Sequence, residues 1–384
     1  MSGDGEKKKG FMSPEKIMVL FYIAVWYAGN ILYIKYNKEA TVAFTAIPKV
    51  CPAKFLKNGV CSAKPDQMVD GAPDVTTWGM SVATGQLVVG VVYALYLWVA
   101  PDCRKAPKIS SGDFLKMVPA GVCSAMAHAS SVLALSVGGV AFGSIVKAAE
   151  PVFAAAVNAI VYQKGVSQGK VACMIPIVGG IAIASLKFKT LFEPEIDDKF
   201  FSLWGLIFAC AANIFAAFKG SESAKIKNDT QIQIRLGCEA NSFAVFSIIS
   251  LLTSIPLMIY TITTGPAVAL GGPEGLYKTV TSGKNTLASL LLSGMTFYIY
   301  NEAVFMMNKS HANPEGVDAT TSSVLNTAKR VITIAYGSLM AHKIKDAVIF
   351  NMSMPQVVGC SVCIAGVFLY SVVDDLLKPK AKKA

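Results

Sequence analysis

The chain has 384 residues, 53% of them hydrophobic and 15% charged, with a mean hydropathy of +0.51; soluble domains carry roughly 25% charged residues, so a water-soluble globule is excluded. The formal net charge is +11, but the lysines and arginines sit mainly in loops and tails rather than on a basic face with interleaved aromatics, which excludes nucleic acid as a partner.

Taken in chain order, Lys7, Lys8 and Lys9 precede an apolar run from Ile17 to Ile34 that has the outline of a signal peptide. No convincing small-residue cleavage site follows, and Trp26, Tyr27 and Asn30 suit a retained helix better. Ser13-Pro14-Glu15 reads as N-cap, first-turn proline and first-turn acid. Uncharged runs long enough to cross a ~30 Å hydrocarbon core recur from there on, for example Thr77–Ala100, Phe201–Phe218 and Asn241–Thr264. Charge clusters and Gly/Pro breaks delimit ten segments, about 15–36, 75–100, 115–137, 139–162, 169–187, 200–219, 238–264, 285–308, 319–342 and 354–374. The expected fold class is therefore an all-α membrane protein with ten transmembrane helices.

An even number of spans places both termini on one side. Lysines and arginines near that side (Lys16, Arg104, Lys105, Lys108, Lys164, Lys170, Lys225, Lys227, Arg235 and the tail lysines) outnumber those opposite, which puts the termini in the cytosol-like compartment. A polar tail, 1–14, leads into a first half, 15–187, with a long loop at 38–74; a second half, 200–374, ends in a basic tail, 375–384.

The two halves are related. Ser144–Lys164 aligns with Ser323–Lys343 at one constant offset, matching Ser144/Ser323, Ala149/Ala328, Val152/Val331, Ala156/Ala335 and Lys164/Lys343. Gly180 and Ser185 continue the match loosely with Gly366 and Ser371. An odd number of spans per half makes the repeats inverted, the arrangement that sets a binding site at the midplane between them.

The nine cysteines are scattered, several of them (Cys123, Cys173, Cys210) inside apolar runs, so neither a disulfide framework nor a zinc site is expected, and Cys360-x-x-Cys363 reads as packing. Ionisable residues inside spans carry more information, since each costs ~2.5–3.5 kcal/mol on insertion scales and persists where it has a partner or ligand. His128 lies in the third span, Lys147 and Glu150 in the fourth, Glu302 in the eighth and Lys329-Arg330 in the ninth. Lys147 and Glu150, three apart, can pair with each other. Lys329 and Arg330 repel one another at a depth beyond snorkelling reach, so with Lys147 on the equivalent helix they form an anion site, Glu150 and Glu302 being partial counter-ions. A phosphate ester, with close to two negative charges and three acceptor oxygens, suits such a site, Arg330 gripping as a fork and the lysines as point charges. His128 and Tyr300 would serve the rest of the ligand.

At these residues the sequence resembles the plastid phosphate translocators of the drug/metabolite transporter superfamily. The stretches that carry the likeness are Ala127-His128 followed by "VAFGSIVKAAEPVF" around Lys147, "ANIFAAFK" ending at Lys219, "FYIYNEA" around Tyr300 and "VLNTAKRV" with Lys329-Arg330. The resemblance implies ten helices, phosphate binding by Lys147, Lys329 and Arg330 with a hydroxyl from Ser131, and contacts from His128, Tyr300 and Lys219 to the sugar or carboxylate end. It implies a plastid envelope antiporter of phosphate against triose phosphate, 3-phosphoglycerate or C5/C6 sugar phosphates, with no cofactor and no catalytic residue. Departures from the family pattern are Ser131, Lys219, Gly143-Ser144, Glu302 and the polar stretch Lys309–Asp318. His128 differs from the asparagine common in the phosphoenolpyruvate-type branch. Two other readings stand beside it: a nucleotide-sugar carrier of an ER or Golgi membrane, with Lys380, Lys382 and Lys383 as a retrieval signal, and a membrane enzyme acting on phospholipid or isoprenoid phosphates. The enzyme reading lacks a metal-binding acidic cluster near a span centre, Asp374-Asp375 lying at a helix end.

Overall fold

The computed structural model describes residues 14–45, 56–57, 60–61, 75–137, 140–163, 165–184, 186–190, 193–196, 203–264, 286–308 and 354–377, together with Glu274, Tyr277, 316–317 and the positions 321–322, 325–326, 328–329 and 332–333. In chain order the helices are α1 (Pro14–Thr45), α2 (Val75–Val99), α3 (Ser111–Val137), α4 (Val140–Ala148), α5 (Glu150–Ile160), α6 (Gln168–Ala184), α7 (Leu203–Asn228), α8 (Thr230–Leu236), α9 (Glu239–Thr263), α10 (Thr286–Met307) and α11 (Met354–Leu377). Strands among the described residues form two short antiparallel hairpins, β1 (Leu56–Lys57) with β2 (Val60–Cys61), and β3 (Leu186–Thr190) with β4 (Glu193–Ile196). Seven of these helices are long and apolar enough to cross a membrane, within α1, α2, α3, α7, α9, α10 and α11. The protein is an α-helical membrane protein.

Several segments differ from their expected bounds. The first helix runs on to Thr45, so residues 38–45 of the expected loop are helical. The sixth segment continues past Lys219 to Asn228, which carries Lys225 and Lys227 into α7 instead of a flanking loop. The fourth segment is broken. Pro151 has no N–H for the carbonyl of Lys147 and its ring crowds that oxygen, so α4 stops at Ala148 and α5 restarts at Glu150. At the break, the Val146 carbonyl accepts from the Ala149 N–H at 3.1 Å and from Asn213 Nδ2 at 2.9 Å. Ser13, Lys164, Ser185, Ser323, Val331, Ala335 and Lys343 lie outside the described residues, as does most of the ninth segment.

The helices pack in pairs. α1 lies along α10 and α3 along α7; α2 packs on α9, α3 on α9, α2 on α10, and α6 on α11. The largest buried cluster joins Met117, Phe243, Phe246, Tyr298 and Phe305 across α3, α9 and α10. A polar staple ties three helices where Gln86, fully buried, donates to Asn37 Oδ1 at 2.7 Å and Ser293 Oγ at 3.0 Å. Glycines let α6 and α11 cross closely: a Cβ on Gly180 would lie 2.5 Å from the Gly359 carbonyl, and one on Gly359 would lie 2.4 Å from the Ala184 nitrogen. Cys360 and Cys363 are buried in this α6–α11 interface and form no disulfide with one another, in agreement with the packing reading.

The loop after α2 is clamped to the connection around α8. Lys108 N–H donates to the Arg235 carbonyl at 2.9 Å, Arg235 pairs with Asp113 at 2.6 Å, and Asn241 donates to the carbonyls of Lys105 and Leu236 while accepting from Trp98. α8 begins at Asp229, whose carboxylate accepts from the N–H groups of Gln231 and Ile232, and ends at Gly237, whose φ of 76° favours glycine. This end of the bundle also holds the start of α1, because Tyr22 senses the charges of Arg104 and Glu302.

Candidate functional site

A cavity of about 680 Å³ opens at the centre of the helices, lined from α1, α3, α4, α5, α7, α10 and the helical residues between 321 and 333. Regular spacing builds two of its walls. On α3 the lining residues are Ser124, Ala127, His128, Ser131 and Leu135; on α10 they are Phe297, Tyr300, Asn301 and Val304, followed by Asn308 just past its end. Both sets follow the i, i+3, i+4, i+7, i+11 rhythm of one helical face.

Of the residues expected at the site, the structure brings together His128, Ser131, Lys147, Lys219, Tyr300 and Lys329 on the cavity wall. Arg330, the remaining member, lies outside the described residues. Lys147 ends α4 and donates to Ser131 Oγ at 2.9 Å, while the Ser131 hydroxyl donates to the Ala127 carbonyl at 2.6 Å. The α4–α5 break carries this ammonium: Pro151 stops α4 just beyond Lys147, and Asn213 fastens the carbonyl of Val146 immediately before it. The Lys329 ammonium stands 4.8 Å from the centroid of the Trp26 ring, a cation–π contact between the ninth segment and α1.

His128 is 6% exposed. Its ring lies 4.0 Å from that of Phe297, centroid to centroid, and hydrogen-bonds to the backbone of Ala83, which leaves Nε2 without a partner among the described residues. Lys147 and Lys219 are the charges it senses. Lys219 in turn senses Glu150 and Lys227. Tyr300 packs on Tyr33, with centroids 5.6 Å apart, and stands edge-on to Phe297. Its Cβ is where a side chain on Gly29 would fall, at 2.8 Å, so the glycine lets α1 and α10 close together behind the tyrosine.

Two assignments change. Glu302 is not on the cavity wall; it pairs with Arg104 at 2.7 Å, both side chains largely buried, and ties α10 to the loop after α2. Lys227, read as a flanking charge, lines the cavity, its ammonium 5.2 Å from the centroid of Phe305 and electrostatically coupled to the buried Glu239. Sequence reasoning also missed Asn30 and Asn213. Asn30 accepts from the Thr333 hydroxyl at 3.2 Å, and Asn213 holds Val146. Their signal was available, since an asparagine within an apolar helix needs a partner as a charge does.

The arrangement can hold an anion: four lysines and one carboxylate, Glu150, are among the lining residues. No group of three or more metal-ligating side chains occurs among the described residues.

The chain is 27% identical over 308 residues to the chloroplastic triose phosphate/phosphate translocator of Flaveria trinervia, an alignment covering 79% of this chain and 66% of that protein. It is 29% identical to the chloroplastic triose phosphate/phosphate translocator of Spinacia oleracea, covering 99% of this chain and 78% of the relative. It is 25% identical to the chloroplastic phosphoenolpyruvate/phosphate translocator 1 of Oryza sativa subsp. japonica, covering 99% and 76%. The chain thus spans about two thirds of the length of the Flaveria relative. The profile of the Triose-phosphate Transporter family matches residues 73–371, most of the chain, and the protein belongs to that family.

Proposed function

We propose that this protein is a transporter of a plastid envelope membrane that exchanges inorganic phosphate for small phosphorylated metabolites by alternating access. The observation that carries the reading is the convergence of Lys147, Lys219, Lys227 and Lys329 on one membrane-embedded cavity. Lys147, Lys329 and Arg330 hold the phosphoryl group, Ser131 orients Lys147, and His128, Lys219 and Tyr300 take the other end. The relatives are named for triose phosphate and phosphoenolpyruvate exchange against phosphate, and His128 favours triose phosphate, 3-phosphoglycerate or C5/C6 sugar phosphates here.

Strict exchange follows from electrostatics. Closing an empty cavity brings several ammonium groups together in a dry interior, at a cost of several kcal/mol even at an effective dielectric near 20. A phosphate dianion removes most of that cost, so only the loaded carrier crosses the occluded state. Lys227, Asn308, Val317 and Ser322 extend the cavity lining toward the ends of α7 and α10, and in this reading ligand enters from that end.

The carrier moves as two inverted halves, 15–187 and 200–374, between the polar tails. Helix pairing supports this reading: α1 on α10 is matched by α7 on α3, and α3 on α9 by α10 on α2. The register supports it too. Gly180 packs against Cys363 and Gly366 against Ile177, contacts that exchange under the single offset that matches Gly180 with Gly366. One offset likewise matches Ala127 with Tyr300, His128 with Asn301 and Ser131 with Val304 along the cavity wall.

The test is counter-exchange of labelled phosphate in proteoliposomes against a panel of phosphorylated metabolites, with Lys329→Ala as the variant. Exchange with at least one triose or sugar phosphate, abolished by Lys329→Ala, is the expected result; undiminished exchange in the variant removes Lys329 from the site.

A further inference from the structure

Asn213 is buried in α7 at 1% exposure and lines the cavity. Its amide has one orientation available. The Val146 carbonyl can only accept, so Nδ2 must face it, at 2.9 Å, and Oδ1 points the other way. That oxygen has no hydrogen-bond partner among the described residues. His128 presents a second group of the same kind on the same cavity: one ring nitrogen donates to the Ala83 backbone, and Nε2 is left buried and unpartnered. In the neutral imidazole with its proton committed to Ala83, Nε2 is an acceptor. The cavity wall therefore carries ammonium groups that suit anionic oxygens and, buried within that wall, two lone pairs that lack an O–H or N–H donor.

We propose that Asn213 is a specificity-determining residue whose Oδ1, with His128 Nε2, accepts hydrogen bonds from ligand hydroxyls, so that the site selects hydroxyl-bearing phosphate esters over esters of equal charge that lack hydroxyls. The inference rests on the phosphate-exchange reading and deepens it. A buried acceptor left unpaired penalises the ligand that fails to supply the donor, which is how a polar site rejects a deoxy analogue more sharply than an apolar pocket rejects an added hydroxyl. Asn213 has a second duty, since its amide also fastens the backbone beside Lys147, so any variant disturbs phosphate binding as well. The decisive quantity is therefore a ratio of two ligands, from which a general loss cancels.

The experiment uses the full chain in proteoliposomes loaded with phosphate. Glycerol 3-phosphate and propyl phosphate, matched in carbon number and charge, compete for uptake of labelled phosphate. In the wild type glycerol 3-phosphate is expected to compete at least tenfold better, and in Asn213→Leu that preference is expected to shrink about tenfold. Equal competition in the wild type overturns the proposal, as does a preference that survives Asn213→Leu unchanged, which would leave Asn213 an anchor of Val146 alone. If Asn213→Leu does not fold, the wild-type pair and Asn213→Ser decide it by the same ratio. If the wild type exchanges no phosphate, the transport reading fails by itself, and thermal stabilisation of the purified protein by the two esters still reads the preference for hydroxyls.

Discussion

Lys147 Nζ donates to Ser131 Oγ at 2.9 Å, from the last turn of α4 to the last third of α3, and the serine is itself oriented because its proton is committed to the Ala127 carbonyl. The ammonium is thereby aimed before any ligand arrives. Ser131→Ala removes the acceptor, and a hydrogen bond to a charged group contributes ~1.5–3 kcal/mol. Because Lys147 is only half-buried, we expect the lower part of that range, a rise of about tenfold in the phosphate concentration that half-saturates exchange. Ser131→Thr keeps the hydroxyl and should stay near wild type. A variant pair with equal half-saturation would show that Lys147 needs no such guide.

Much of this site was legible because charge inside an apolar run is so costly that its position alone is informative. Lys147, His128 and Lys329 were found that way, and the cavity holds all three. Glu302 shows the limit. Its span was read correctly, but not that Arg104, in a loop 198 residues away in sequence, folds back to neutralise it. Lys227 was missed for the opposite reason. Sequence placed it beyond the end of its span, whereas α7 continues nine residues past Lys219 in a helix whose last turns are polar and therefore silent to hydropathy. The α4–α5 break was foreseeable from Pro151, but the amide of Asn213 that uses the break was not, since the partner lies on another helix.

Lys227, on the cavity wall, lies within electrostatic reach of the buried Glu239. Glu239 is 3% exposed and neither carboxylate oxygen has a hydrogen-bond partner among the described residues; it sits in the first turn of α9, with the Lys227 ammonium within electrostatic reach. Lys227→Met should remove that attraction and lower the thermal midpoint in detergent. Adding Glu239→Gln should restore most of the thermal midpoint in detergent. It should not restore phosphate uptake, expected to be at least fivefold slower in both variants, because the ammonium on the access route is still missing. Full recovery of uptake in the double variant would reduce Lys227 to a structural counter-ion.

Asp229 offers a pH-dependent readout outside the spans. The N–H of Ile232 donates to its carboxylate and the Lys116 ammonium, 3.3 Å away, adds to the effect, holding its pKa below the usual carboxylate value. The folded value is the lower one, so the stabilisation is fully present above the unfolded value of about 4 and is lost as pH falls through the folded value. Asp229→Ala should therefore lower the thermal midpoint at pH 7 and differ progressively less from wild type as the buffer is taken below about pH 4. Asp229→Asn retains the capping oxygen and should lose less than the alanine variant at neutral pH. An Asp229→Ala deficit that is constant from pH 7 to pH 3 would mean that the charge plays no part in the cap.

Gly179 and Gly180 are neighbours with opposite expected responses to the same change. A Cβ on Gly180 meets the carbonyl oxygen of Gly359 and the nitrogen of Cys363, each at 2.5 Å, whereas one on Gly179 meets nothing within 4 Å. Backbone atoms cannot step aside as a side-chain tip can, so Gly180→Ala must push α6 away from α11. Overpacking of this kind costs ~1–3 kcal/mol. Gly179→Ala adds no clash and removes the conformational penalty of a mid-helix glycine, so the thermal midpoint should hold or rise. The consequence reaches the site because Ala148 and Ala149, beside Lys147, pack on the same interface through Ile177, Cys363 and Val367. Gly180→Ala should therefore slow phosphate exchange more than its loss of folded protein accounts for, measured per molecule of correctly folded carrier. Equal thermal midpoints for the two alanine variants would show that the α6–α11 crossing has room that this packing denies.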